Sequence, residues 1–186
     1  MRRPMEPTTP VIVANLHCLE QAIELLERLP ASAFARIDSR HAKTAGPHLR
    51  HVLDHYSSFL SGLPKFRVDY DARERDLRLE TEIPFAVDRL REIAGGLLLV
   101  DRELFEMPIE IRLEAGGAEE EQWSRSTVRR ELQFLLSHTV HHFALIAMVL
   151  ERHGIAVPDD FGVAPSTLKH WQSQQGRQDV STPRAR

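Results

Sequence analysis

Apolar residues recur at spacings of three and four in four separate stretches of the chain, with polar residues between them. Residues at these spacings share one side of a helix, so each stretch predicts an amphipathic helix. We predict helices over residues 11–29, 44–63, 81–103 and 126–153. At a rise of 1.5 Å per residue, the last of these helices would be about 40 Å long, which is the length of a whole small bundle.

A different period appears in residues 107–114, where isoleucine and leucine alternate with charged residues. Alternation of period two predicts a short strand or hairpin arm, which would end at the turn Gly116-Gly117. The last stretch, 172–186, is polar and predicts a disordered tail. We therefore expect residues 1–171 to form one domain. Four long helices with short connections favour an all-α fold, an antiparallel four-helix bundle.

Composition and charge narrow the class of protein. The 186 residues fit one ordinary domain, and an apolar share of 42% is enough for a core. A net charge of −3 offers no basic field for nucleic acid. No apolar run approaches the roughly 20 residues of a membrane-spanning helix, and no secretory signal is present, so we expect a cytoplasmic protein. Cys18 is the single cysteine, which excludes disulfides and CxxC metal sites and leaves imidazoles to hold any metal.

Histidine is the unusual residue of this chain, with ten copies. Six of the ten fall in two short windows: His48, His51 and His55, then His138, His141 and His142. His138 and His142 continue the apolar stripe of the fourth predicted helix. Side chains four apart on a helix stand about 5–6 Å apart at Cβ, so these two imidazoles can turn to one point. That separation suits two ligands of a tetrahedral zinc ion.

Two known helical metal motifs do not fit these histidines. Thr139 stands where the H-E-x-x-H metalloproteases have their catalytic glutamate. The ferritin-like proteins need Glu-x-x-His pairs, and no histidine here has a glutamate three positions before it. The alternative interpretation of the pair is two core histidines with hydrogen-bonded rings. A third ligand from the second predicted helix would instead complete a three-histidine site with an open position, as in catalytic zinc centres.

Helical periodicity leaves that third ligand open. The apolar arc of the second predicted helix centres between Tyr56 and Leu63, with His48 nearest to its edge, then His55, then His51. Burial alone would favour His48. The alternative for each of the three is a solvated polar flank.

The two windows together resemble the DinB superfamily, through residues 48–55, HLRHVLDH, and residues 137–146, SHTVHHFALI. The resemblance extends over residues 11–153. In that family a metal lies between the second helix and the last long helix of a four-helix bundle. Matched residue by residue, the resemblance implies the ligands His51, His138 and His142. It leaves His48, His55 and His141 to line the pocket, with zinc as the expected ion and nickel as the alternative.

The resemblance also implies a class of chemistry. Members of the family include transferases and isomerases that use low-molecular-weight thiols such as mycothiol and bacillithiol. A metal-bound thiol loses its proton and could attack a small electrophile; a metal-dependent hydrolase fits the same ligands. The alternative is a stress-related bundle that binds metal or a small ligand without turnover. We further expect Cys18 to be a buried apolar residue and Asp54 to orient a ligand or form a salt bridge. Exposed apolar residues on the first and third helices favour a homodimer.

Overall fold

The computed structural model describes residues 9–35, 44–72, 74–114 and 123–180. These residues are mostly helical and include a small three-stranded sheet. The elements in chain order are α1 (Pro10–Arg28), α2 (Ala31–Phe34), α3 (Ala45–Gly62), β1 (Arg67–Asp69), α4 (Arg78–Thr81), α5 (Ile83–Leu98), β2 (Pro108–Arg112), β3 (Trp123–Thr127), α6 (Val128–Arg152) and α7 (Pro165–Val180). The mostly helical class expected from the sequence is confirmed, whereas the more specific DinB-type bundle remains a prediction.

Four of these helices, α1, α3, α5 and α6, build the core. The helix α3 packs against α5 and α6, and α1 packs against the same two helices. Each contributes a fully buried leucine: Leu19, Leu53, Leu90 and Leu132 are all 0% exposed. Burying one such side chain stabilises the fold by about 1.5–3 kcal/mol. The apolar stripes seen in the sequence are therefore the faces that these helices turn to one another.

Capping residues mark both ends of α6. The Thr127 side chain accepts a hydrogen bond from the Arg130 N–H at 3.2 Å, which begins α6. Gly154, with a φ of 72°, follows the end of that helix. The helix predicted over 81–103 ends earlier, at Leu98, because Asp101 accepts a hydrogen bond from the Glu103 N–H at 2.9 Å and starts a separate 3-10 turn.

The sheet lies beside α3. Strand β2 pairs in parallel with β1 and antiparallel with β3. Ile109 of β2 is 1% exposed, and Val68 of β1 is 0% exposed, so one side of the sheet joins the core. Only β2 was predicted, because β1 and β3 are too short or too polar to show alternation. The predicted turn at Gly116-Gly117 lies outside the described residues.

The end of α7 differs from the predicted start of the tail. The helix α7 continues to Val180 and so covers the first part of the segment 172–186 predicted as a tail; residues 181–186 lie outside the described chain.

Within the described residues, α6 is the one helix whose length and composition would allow it to cross a membrane. It packs against α1 and α3, and an apolar composition is equally typical of the central helix of a soluble bundle.

Candidate metal centre

Five histidines gather between α3 and α6. They are His48, His51 and His55 from α3, and His138 and His142 from α6. The ring centroid of His51 lies 4.9 Å from that of His138 and 4.6 Å from that of His142, and the last two are 4.6 Å apart. The structure thus brings the three predicted ligands together, because each helix presents two histidines four residues apart on facing sides.

A second set of three includes His55. One ring nitrogen from each of His51, His55 and His138 lies within 4.8 Å of the others. The ring of His55 is 4.3 Å from that of His138 and 4.4 Å from that of His51. Two nitrogens that each bind zinc at 2.0–2.1 Å in a tetrahedron are about 3.4 Å apart, so small rotations of these side chains would close such a site.

The burial of the α3 histidines differs from the expectation. The helical wheel favoured His48, but the buried histidine is His55, at 2% exposure, while His48 and His51 are half-buried. The reason lies outside the helix: the ring of Tyr70, which directly follows β1, stacks on His55 with centroids 5.3 Å apart and planes 23° apart. The ring of Phe134 lies 6.2 Å from His55. A wheel drawn for α3 contains neither aromatic residue.

The hydrogen bonds of two rings limit which nitrogen can bind a metal. The Nδ1–H of His55 donates to the His51 carbonyl at 2.7 Å, which leaves the lone pair on Nε2. The Nδ1 atoms of His48 and His142 lie 3.0 Å apart, so one of them donates to the other. When Nδ1 of His142 carries the proton of this hydrogen bond, Nε2 of His142 has the lone pair. Metal-binding histidines in proteins have this arrangement, in which the second ring nitrogen donates to a neighbour.

His138 lies at the centre of the cluster. Among the described residues, its buried Nε2 has no hydrogen-bond partner. Such an atom costs about 1–3 kcal/mol when it is left unsatisfied. Burial, with the neighbouring histidines adding to it, lowers the pKa of His138 to about 3 and that of His142 to about 4. Both rings are therefore neutral at pH 7, and neutral imidazoles suit zinc, nickel and copper.

Thr139, the neighbour of His138, points away from the cluster. Its hydroxyl lies 2.7 Å from the Leu135 carbonyl and 3.1 Å from the Tyr56 hydroxyl, in the core between α1, α3 and α6. The position that would carry a metalloprotease glutamate is thus a core position.

Two other residues considered in the sequence have structural roles. Asp54 forms an ion pair with Arg50 at 3.9 Å, and Arg50 contacts Glu80 at 2.5 Å, so the salt-bridge interpretation of Asp54 holds. Cys18 is 4% exposed, and burial raises the pKa of its thiol to about 11. This thiol is protonated at neutral pH and belongs to the core, as expected.

A cleft lies on another face of α3. It has a volume of about 690 Å³ and is formed by α3, α5 and the loop after β1, with Asp54, Glu74, Asp76 and Arg89 among its lining residues. Just after β1, the Asp69 carboxylate accepts hydrogen bonds from the backbone N–H groups of Asp71 and Ala72.

Sequence reasoning missed the two aromatic residues next to the histidines, Tyr70 and Phe134. Phe134 precedes His138 by four residues and could have been found from the helical period. Tyr70 could not, because its place depends on the sheet.

Comparison with known proteins adds little to the site. No family model matches the chain. A protein of Rhizopus delemar named FK506-binding protein 5 is 29% identical over 108 residues, which is 58% of this chain and 28% of that protein. The match spans little more than a quarter of the relative's length, and the relative's name does not bear on the histidine cluster.

Proposed function

We propose that the protein is a metal-dependent enzyme of the DinB type, with a divalent cation, zinc or else nickel, bound by imidazoles of α3 and α6. The observation that best supports this proposal is the buried Nε2 of His138, which has no hydrogen-bond partner among the described residues. A cation at this place would satisfy that atom. The neutral state of His138 and His142 at pH 7 supports the same proposal, because a protonated imidazole cannot bind a metal.

The ligands we propose are His51, His138 and His142. Their ring centroids form a triangle with sides of 4.6 to 4.9 Å. His48 would fix the orientation of His142 through the 3.0 Å contact between their Nδ1 atoms. His141 is exposed, and His48, His51 and His142 are half-buried, so this side of the cluster is where a small molecule would approach.

We propose thiol-dependent transfer or isomerisation of a small electrophile as the reaction. A bound divalent cation supplies Lewis acidity, which lowers the pKa of a coordinated thiol or water. The residues of the chain would hold that cation between two helices, with the rings of His138 and His142 neutral at pH 7. They shield one side with Tyr70 and Phe134, which excludes water from the His55 edge.

Two measurements test this function. Protein purified without a metal-affinity column should contain about one equivalent of zinc or nickel by elemental analysis. It should then consume a low-molecular-weight thiol in the presence of one member of a panel of electrophiles, and a chelator should stop the reaction. One equivalent of metal with no chelator-sensitive turnover on a broad panel would favour a non-catalytic metal-binding protein.

Location and assembly remain proposals. We propose a cytoplasmic enzyme, since a reducing compartment suits a chain with one buried cysteine and a thiol substrate. We propose a homodimer that uses exposed apolar residues of α1 and α5, such as Val13 at 50% and Leu98 at 59% exposure. Size-exclusion chromatography with light scattering tests the second proposal.

A further inference from the structure

His55 is the most enclosed of the clustered histidines, although the proposed ligand set does not use it. His55 is 2% exposed. One ring nitrogen of His55, one of His51 and one of His138 all lie within 4.8 Å of one another. Its Nδ1 donates to the His51 carbonyl at 2.7 Å, so Nε2 is the nitrogen with a lone pair. A buried imidazole held in the ligand-ready tautomer next to His138 is arranged as a donor to the same cation.

The ring of His55 is held by Tyr70. The two rings are stacked, with centroids 5.3 Å apart and planes 23° apart. Tyr70 is fixed at both of its ends: its backbone N–H donates to the Arg112 carbonyl at 2.9 Å, and its hydroxyl donates to Glu131 Oε2 at 2.8 Å. The plane of His55 therefore depends on the sheet and on α6 as well as on α3.

Glu131 completes this support from the first turn of α6. Its carboxylate is 2% exposed and also accepts a hydrogen bond from the Ser126 hydroxyl at 2.6 Å. Burial and the Glu131 carboxylate raise the pKa of Tyr70, so the phenol keeps its proton and remains a donor. Short hydrogen bonds from hydroxyl groups to a carboxylate are about twice as strong as neutral ones. The contacts Ser126–Glu131–Tyr70 thus form a rigid support behind His55.

We infer that His55 is a fourth nitrogen donor of the proposed metal centre, in which a thiol or water would take a fifth position, and that Tyr70, anchored by Glu131, positions His55. This inference rests on the proposed function, because it concerns the same cation. It gives the small sheet a role: Tyr70 directly follows β1, and Ser126 of β3 donates a hydrogen bond to Glu131.

Cobalt binding to the chelator-treated protein tests the inference. Dissociation constants from competition with a chelator, and the visible absorption of bound Co²⁺, are measured at a temperature where each variant is folded. His55→Ala should weaken Co²⁺ binding and change the shape and intensity of the absorption bands, because one nitrogen donor is lost. Unchanged affinity and an unchanged spectrum in this variant would overturn the inference.

Variants of the support separate positioning from simple stability. Tyr70→Leu removes the stacked ring and should weaken Co²⁺ binding by about 10- to 100-fold, which is typical for partners of metal ligands. Tyr70→Phe keeps the ring but removes the hydroxyl that donates to Glu131, so it should recover only part of that loss. Phe105→Leu removes another buried aromatic ring, 5.4 Å from the Arg129 guanidinium, and should lower the melting temperature without changing Co²⁺ affinity or spectrum.

The outcomes distinguish this inference from the proposed function. If the wild-type protein binds no divalent metal, both fail. If it binds Co²⁺, while Tyr70→Leu lowers only the melting temperature, the positioning role is wrong and the metal site stands.

Discussion

Two polar clusters occupy neighbouring faces of the same pair of helices. His55 and Tyr56 are consecutive on α3, and His138 and Thr139 are consecutive on α6, yet the members of each pair belong to different clusters. The histidine cluster is built around an Nε2 atom that has no partner among the described residues. The other cluster, Asn15–Tyr56–Thr139, is made of groups that bind one another. We call it the core network.

The core network is complete by itself. The Asn15 amide donates to the Val11 and Leu132 carbonyls at 2.7 and 3.1 Å, and the Tyr56 hydroxyl donates to Asn15 Oδ1 at 2.6 Å. Thr139 lies 2.7 Å from the Leu135 carbonyl. Such a network joins α1, α3 and α6 without needing anything from outside. The contrast teaches that burial and polarity alone do not identify a functional site; a buried group that the protein leaves unsatisfied is the better indication.

The largest effect should come from His138→Ala. We expect Zn²⁺ affinity to fall by more than about 100-fold, because a central ligand is removed and losses of 10- to 100-fold are typical even for residues that only support a ligand. Competition with a chromogenic chelator measures this affinity. Thr139→Val, one residue away and in the core network, is the matched control and should bind Zn²⁺ as the wild type does. Equal losses in both variants would mean that damage to α6, and not the loss of a ligand, caused the effect.

The next largest effect should distinguish the roles of His142 and His48 in Zn²⁺ binding. We expect His142→Ala to weaken Zn²⁺ binding by about 100-fold and His48→Ala by about 10-fold, because His48 acts through the Nδ1 of His142 and supplies no metal bond. The same competition measurement gives both values. A larger loss in His48→Ala than in His142→Ala would exchange the two roles.

Tyr56→Phe should affect stability alone. It removes the hydroxyl that donates to Asn15 and leaves a buried amide oxygen without its donor, which we expect to cost about 1–3 kcal/mol. Urea unfolding of the chelator-treated protein measures this change in the free energy of unfolding. Zn²⁺ affinity should remain within a factor of two of the wild-type value. A loss of Zn²⁺ affinity in Tyr56→Phe would show that the core network and the histidine cluster are coupled.

The two clusters also differ in how far the sequence could predict them. The helical period brought His138 and His142 to one face of α6 and pointed to a histidine window on α3 for the third ligand. It left that third ligand open, and His51 was predicted only through the resemblance to the DinB superfamily. The helical period ranked His48 above His55, because the ring that covers His55 belongs to Tyr70, and β1 is only three residues long. A tertiary contact from a short strand leaves no periodic pattern. For the same reason, nothing in the sequence pointed to Glu131 as a support.

The smallest expected effect is on the pH dependence of stability, where variants of the histidine cluster and of the core network should again differ. In the metal-free protein, burial holds the pKa of His138 at about 3, below its usual value of 6.5, so the folded state stays neutral while the unfolded chain takes up a proton. Stability should therefore be independent of this residue above pH 6.5 and should decrease as the pH falls from 6.5 towards 3. The slope has an upper limit of about 1.4 kcal/mol per pH unit, and partial solvation of the ring keeps it below that limit.

His138→Leu should flatten the wild-type curve over this window, whereas Thr139→Val, which removes no titrating group, should shift the curve and keep its slope. Urea midpoints measured from pH 7 to pH 4 with chelator present give both curves. Parallel curves for the wild type and His138→Leu would mean that His138 takes up its proton in the folded protein at the same pH as in the unfolded chain, and that burial does not keep this ring neutral.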